Sequence, residues 1–325
     1  MSNITILTLT YNRAHMLKRT IEHVLAQTYT DFSYLIVNNG STDDTSEVIQ
    51  NYCQQDSRIK TIHMPENFIL HPDRPECVSL VQEMERLIFQ PPEEYHMQID
   101  DDDYMDADAL DTLLRLSKEY QADIATIGSQ WVYPDGSRKD KFVFDGIFVY
   151  NRVQAMQELL KREKFNNAAG GKLYRKAVCD IRLPITRWRS DVYREYRRIN
   201  RIHRMVATGQ PKYSFYRHEK NLSGLNTANE ITPQKMMKYL TSNRERTIFL
   251  QKEMPELAGF VHYCELSFMI SLYQRIYRLN VTSCYDIAED MLRALRSCRN
   301  LLPQYSWFTD DERRFLNEMH LLEAN

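Results

Sequence analysis

The chain lacks the patterns that mark several common protein classes. Its six cysteines, Cys53, Cys77, Cys179, Cys264, Cys284 and Cys298, contain no CxxC spacing, which argues against a zinc site or a disulfide frame. No charged-then-apolar leader precedes the first strand pattern, and no run of about 18 apolar residues exists. The expectation is a cytoplasmic protein with reduced thiols. The sequons at Asn3, Asn221 and Asn280 then carry no meaning. An excess of positive charge is missing too: Lys+Arg 42 against Asp+Glu 44 leaves a net charge of -2, so no global basic field points to nucleic acid. Internal repeats and low-complexity segments are also absent. What remains is an ordinary globular composition, 43% hydrophobic and 26% charged, in 325 residues, enough for one large domain or two of ordinary size.

Strand and helix periods alternate from the start. "NITILTLT" reads as a buried strand, and from Asn12 onward Leu17, Ile21, Val24 and Leu25 fall on one helical face. "FSYLIV" is a second strand. In the following "NNGSTDDTSEVIQNY", Gly40 permits a tight turn, Ser41 or Thr42 can cap a helix, and Val48, Ile49 and Tyr52 point inward. "IKTIH" is a short third strand, 78 to 89 a helix, and "YHMQI" a strand running into four consecutive aspartates. Leu110, Leu113 and Leu114 then mark a helix, and "ADIATIG" a strand. Such βαβ alternation predicts an α/β fold with a mostly parallel sheet, whose ligands sit at the carboxyl ends of the strands. "YNR", "NNGSTD" and "DDDD" all follow strand ends, so they are expected in one crevice. Residues 130 to 150 carry a Pro-Asp-Gly turn and read as a hairpin. A helix over 151 to 163 and the "GGKLYRKAV" segment come next. Beyond about 230 the strand signals stop, and 234 to 252, 257 to 279 and 284 to 299 read as helices. In "ELSFMISLYQRIYRL", Leu266, Met269, Ile270, Tyr273, Ile276 and Tyr277 share one face, a core-packing pattern.

The aspartate run, Asp100 to Asp103, raises a physical question. Adjacent carboxylates about 5 Å apart repel by roughly 3 kcal/mol per pair at an effective dielectric near 20, so a folded site that keeps several ionised calls for a cation or another partner. An EF-hand is excluded, because its sixth position would be Met105 and its twelfth Asp111. The bland alternative is an acidic, solvated loop.

With these motifs in order, "TYNRAHMLKRTIEHVLAQTYTDFSYLIVNNGSTDDTSEVI" and then "QIDDDDYMD", the chain resembles the family 2 inverting glycosyltransferases of GT-A fold. The resemblance is dense over residues 3 to 127 and thinner from 166 to 224. It implies a GT-A domain over 1–228, with 1–127 as the nucleotide-sugar half and 128–228 as the acceptor half, followed by a helical region over 229–325. It implies that Asp100 and Asp102 form the DxD pair holding Mg²⁺ or Mn²⁺ on a nucleotide-sugar diphosphate, Asp102 as direct ligand, with Asp101 among the donor-binding residues. Such hard carboxylate oxygens suit these ions. Thr10, Tyr11, Asn12 and Arg13 match the loop that cradles base and ribose, although Leu9 replaces the usual proline. Asn39 matches the base-contacting position, where the family commonly has Asp; its amide can still accept from a uracil N3–H. "RWRSDVYREY" resembles the segment of the catalytic base, with Ser190 in place of the first acid. This makes Asp191 the candidate base, against a helix-capping aspartate and the competitors Asp180 and Glu195. His218 in "YRHEKNLSG" corresponds to a histidine that approaches the metal or diphosphate.

The implied partners are a nucleoside-diphosphate sugar, a UDP sugar first, and a glycan or lipid-linked acceptor in surface polysaccharide synthesis. Peripheral contact with the inner face of the membrane and a homo-oligomer stay open, and nucleic acid is not expected. From Arg182 to Arg204 eight arginines accompany only two acids, Asp191 and Glu195, either a solvated helix face or a docking surface for an anionic acceptor. Two other readings remain. A sugar nucleotidyltransferase wants a glycine-rich loop after the first strand, and "TYNRAHM" has no glycine. A non-catalytic nucleotide-sugar-binding protein would explain Ser190.

Overall fold

The computed structural model describes residues 3–67, 78, 79, 81, 82, 86, 94–179, 181, 191–218, 225 and 227–322. Met1–Glu219 and Lys220–Asn325 each form a compact unit. The helix expected over 78 to 89 falls largely outside the described residues.

The first unit is built on a sheet of ten described strands. β1 (Ile4–Thr10) is paired in parallel with β2 (Phe32–Asn38) and β4 (Tyr95–Gln98), and β2 with β3 (Ile59–His63). This half is parallel, as βαβ alternation requires. α1 (Ala14–Leu25) buries Leu17, Ile21 and Val24 against it, α2 (Thr45–Gln55) buries Ile49, and α3 (Ala109–Glu119) buries Leu110, Leu113 and Leu114. Near-continuous burial of β1 and β2 follows from coverage on both faces.

The other half is mixed. β5 (Tyr104–Met105) follows the aspartates, β6 (Ile124–Val132) is long, and β7 (Arg138–Asp140) returns along it through the Pro134-Asp135-Gly136 turn, where Gly136 has φ 81°. β8 (Ile147–Tyr150) precedes α4 (Arg152–Lys161), whose N-terminus is closed by reciprocal Asn151 and Gln154 hydrogen bonds. β9 (Lys172–Arg175) then enters antiparallel between β4 and β6, followed by a short α5 (Lys176–Cys179) and α6 (Asp191–Ile199). β10 (Met205–Tyr216) lies parallel to β6 and antiparallel to β5 and β8. The order is β3-β2-β1-β4-β9-β6-β10-β5. The sheet is therefore mixed beyond β4, because β9 reverses direction there; β6 and β10 regain the direction of β4. The carboxyl ends of β1, β2, β4, β6 and β10 consequently share one edge.

In the second unit α7 (Pro233–Glu253), α8 (Ala258–Arg278), α9 (Tyr285–Ser297) and α10 (Asp310–Glu318) enclose their own core. Leu266, Ile270, Tyr273 and Ile276 of α8 are buried in it, while Tyr277 is exposed and stacks on Tyr285. The helix Asp310–Glu318 follows none of the three expected helical stretches; its signal is local, a capping box between Thr309 and Glu312.

Candidate active site

The loop after β1 is tied to the loop after β2. Asn12 adopts φ 52°; its backbone N–H donates to Ser41 Oγ at 3.0 Å, and its side-chain carbonyl accepts from Thr42 N at 2.7 Å. Ser41 and Thr42 thus bind the neighbouring loop and do not cap α2, contrary to expectation. The helix starts later, at Thr45, whose N–H donates to Asp43 at 3.1 Å. Thr10, buried at the end of β1, accepts from Asn39 N at 2.9 Å, and the Asn39 amide donates to Asn67 at 2.8 Å. Tyr11 is half-buried in the same loop. Gly40 is required here: it sits at φ 74°, and a Cβ would come within 2.4 Å of the Glu66 backbone.

The four aspartates divide their work. Asp103 turns inward, accepting from Tyr213 OH at 2.8 Å and Tyr216 N at 3.1 Å; burial, then the charges of Asp100 and Asp102, raise its carboxyl well above the usual range. It anchors β10 to the run and so delivers His218. Asp101 and Asp102 each accept from the same Arg13 nitrogen at 2.8 Å. His218 Nε2 lies 2.9 Å from Asp102 Oδ2. Asp100 is exposed, yet its carboxyl is pushed up to about 7 by desolvation, followed by the charges of Asp191, Asp102 and Asp101.

Asp191 opens α6 and is close enough for its charge to act on Asp100. Burial, reinforced by Glu195, raises its carboxyl to about 6 against the pull of Arg198, Lys172 and Arg194. Glu195, its competitor, is 1% exposed, 3.1 Å from Lys172 Nζ, 3.7 Å from Arg198, and accepts from Tyr174 OH at 3.0 Å. It is committed to that buried network. Asp180, Ser190 and the arginines at 182, 187 and 189 lie outside the described residues. Of the rest of the arginine cluster, Arg194 and Arg198 are buried, so they neutralise acids inside the fold and do not form a docking surface; Arg201 and Arg204 are exposed.

Asp102 and His218 suit a hard divalent ion. Asp102 Oδ2 and His218 Nε2 lie 2.9 Å apart, so both would reach a single bound ion. Among the described residues no group of three or more His, Cys, Asp or Glu is placed to hold a metal ion. One or two protein donors completed by water and substrate phosphates is the usual Mg²⁺ arrangement.

Arg19 is a site residue that sequence reasoning misses. Its guanidinium donates to the Asp102 carbonyl at 2.6 Å and lies between the rings of Tyr104, 4.7 Å away, and Tyr216, 4.0 Å away. Its only sequence signal is a position on the non-core face of α1; the two tyrosines reach it from β5 and β10.

The sequence profile of "Glycosyl transferase family 2" matches residues 5–183. Glycosyltransferase GlyG of Streptococcus pneumoniae serotype 4 is 26% identical over 163 residues, 49% of this chain and 50% of that protein; GlyA of the same organism is 27% identical over 199 residues, 58% and 27%. The chain thus spans half or less of the length of these curated relatives. Crystal structures of S. aureus TarS 1-349, in complex with UDP and with UDP-GlcNAc, superpose with a TM-score of 0.60 at 13% identity, over 93% of this chain and 80% of that one. No described helix is long and apolar enough to cross a membrane. With three strand-end loops converging on an aspartate cluster and a family profile covering more than half its length, the chain belongs to glycosyl transferase family 2 and has the GT-A fold.

Proposed function

We propose that the protein is a divalent-cation-dependent inverting glycosyltransferase, moving a sugar from a UDP sugar to a hydroxyl of a glycan or lipid-linked acceptor in surface polysaccharide synthesis. We place it in the cytoplasm, in peripheral contact with the membrane. The observation that supports the reading is a second buried acid, Asp191, whose charge acts on Asp100 at the aspartate run. Asp102 is held by Arg13 and His218, each within 3 Å, whereas Asp191 has no ion pair within 4 Å among the described residues and still acts on Asp100. The UDP and UDP-GlcNAc complexes of TarS support the choice of donor.

In this reading Thr10, Tyr11, Asn12, Arg13 and Asn39 hold the nucleoside, and Asp100, Asp101 and Asp102 face its diphosphate. Asp102 and His218 would hold Mg²⁺ or Mn²⁺, with Asp100 beside them. That cation, when bound, neutralises charge developing on the departing diphosphate. Arg13 adds a fixed positive charge to the same side. Asp191 accepts the proton of the attacking acceptor hydroxyl, and a single in-line displacement at the anomeric carbon inverts its configuration. Its raised carboxyl suits that task, since a base titrating near the working pH both exists ionised and takes a proton readily.

Calorimetry with UDP tests the donor half. Mn²⁺ should strengthen UDP binding to the native protein, and Asp102→Ala should abolish that enhancement while circular dichroism stays unchanged. Equal affinity in excess chelator would remove the cation from the proposal.

A further inference from the structure

On the acceptor side of the same sheet edge, three positive charges surround one indole. Trp131 stands near the end of β6, directly opposite Lys139 of β7 on one side and Phe215 of β10 on the other. Strand alternation sends Asp140 to the reverse face, opposite Gln130, and puts Lys139, Phe215 and Arg217 on the face of Trp131. Lys139 Nζ lies 5.7 Å from the indole centroid, Lys141 Nζ 5.5 Å and the Arg217 guanidinium 5.9 Å. Lys141 also lies 3.8 Å from the Phe215 ring centroid. Among the described residues none of these three cations pairs with a carboxylate. Two residues back on the same strand face, the Ser129 hydroxyl is buried without a hydrogen-bond partner.

The cluster adjoins the proposed reaction centre. Arg217 immediately precedes His218, and its N–H donates to Val132 O at 2.7 Å. Lys141 feels the charges of Asp103 and Lys172, and Lys172 in turn feels Asp191. Burial, with the charges of Arg162, Lys172 and Arg217 and against that of Asp103, lowers the Lys141 ammonium to about 8. Cation–π attraction to Trp131 and Phe215 offsets only part of the repulsion among three like charges; a bound anion would offset the rest. An indole face flanked by donors is also a platform on which the C–H face of a pyranose packs.

We infer that Trp131, Lys139, Lys141 and Arg217 form an acceptor subsite for an acidic sugar, the ring stacking on Trp131 and its carboxylate or phosphate lying among the three cations. This rests on the glycosyltransferase reading and assigns the class of acceptor within it.

Calorimetry on the full chain separates the possibilities. The probes are a hyaluronan tetrasaccharide for carboxylate, glucose 6-phosphate for phosphate, chitotetraose as the neutral counterpart, and UDP with Mn²⁺. At least one acidic probe should bind 10-fold or more tightly than chitotetraose and weaken as salt rises. Lys141→Met and Arg217→Met should each lower that affinity 5-fold or more with UDP affinity unchanged, and Trp131→Phe should lower it while leaving its salt dependence intact. Whichever acidic probe is preferred identifies the anion. Binding of chitotetraose as tight as either acidic probe, heat from neither acidic probe, or full acidic-probe affinity in both methionine variants would overturn the subsite. If UDP binds normally in that event, the glycosyltransferase reading stands without it; acidic binding in a protein that fails to bind UDP would support the subsite and count against the reading.

Discussion

Asp191 and Asp102 show how one residue type serves two purposes when its surroundings differ. Asp102 is paired with the Arg13 guanidinium, lies within hydrogen-bond distance of His218 and sits 7% exposed. Asp191 titrates near 6 because burial outweighs the nearby Arg198, Lys172 and Arg194. Asp191→Asn should therefore leave UDP and Mn²⁺ affinity unchanged and lower turnover by roughly 10² to 10⁴, measured with any competent donor and acceptor pair. The sign of the pH dependence follows: a base must be ionised, so native activity should fall as pH drops through about 6, and the residual activity of the variant should lack that limb. A variant with unchanged turnover would move the role of base to another acid. Asp103 belongs to a different class again, since its bonds to Tyr213 and Tyr216 make it a strut and not a ligand.

At the level of elements, the site depends on two loops held together by their own side chains. Asn12, Ser41 and Thr42 exchange hydrogen bonds, and the β2–α2 turn lets Asn39 reach Asn67 because Gly40 passes against the Glu66 backbone. Gly40→Ala adds a Cβ in a left-handed conformation with no space for it, so urea denaturation should show a loss of more than about 1 kcal/mol, with weaker UDP binding in the folded fraction. An unchanged denaturation midpoint would mean that the turn has another conformation. β9 is the antiparallel strand that separates β4 from β6. It carries Lys172 to the edge where Asp191 stands, so its reversed direction supplies the buried cation that balances Glu195.

For the whole molecule, the division into Met1–Glu219 and Lys220–Asn325 puts every residue we propose for donor binding in the first unit. The helical unit buries its own core, including Ile270 and Leu295 at 0% exposure, and we assign it to acceptor docking or self-association. A chain ending at residue 219 should fold and bind UDP with Mn²⁺ as the full chain does, checked by circular dichroism and calorimetry. A folded truncation that no longer binds UDP would show that the helical unit takes part in donor binding.

Local sequence signals were enough for the family and for the elements of the parallel half, whereas the strands β5, β9 and β10 were not assigned from local pattern. Period-2 and period-3.6 patterns mark β1 to β4, the helices α1 and α2 and the three long C-terminal helices, because those patterns are set by which face each residue buries. The strand-end motifs announce a crevice for the same reason: a parallel sheet has one ligand edge. Tertiary structure alone decided which aspartate turns inward, since Asp103 is selected by Tyr213, 110 residues away. It also decided that Arg194 and Arg198 are buried counter-charges, although in sequence they look like part of an exposed basic run. The cations around Trp131 are invisible to any local pattern, because Lys141 and Arg217 meet only after β7 and β10 pair on either side of β6. Composition and period record burial along one element; the meeting of charges from different strands is fixed by register, which the sheet determines only when it closes.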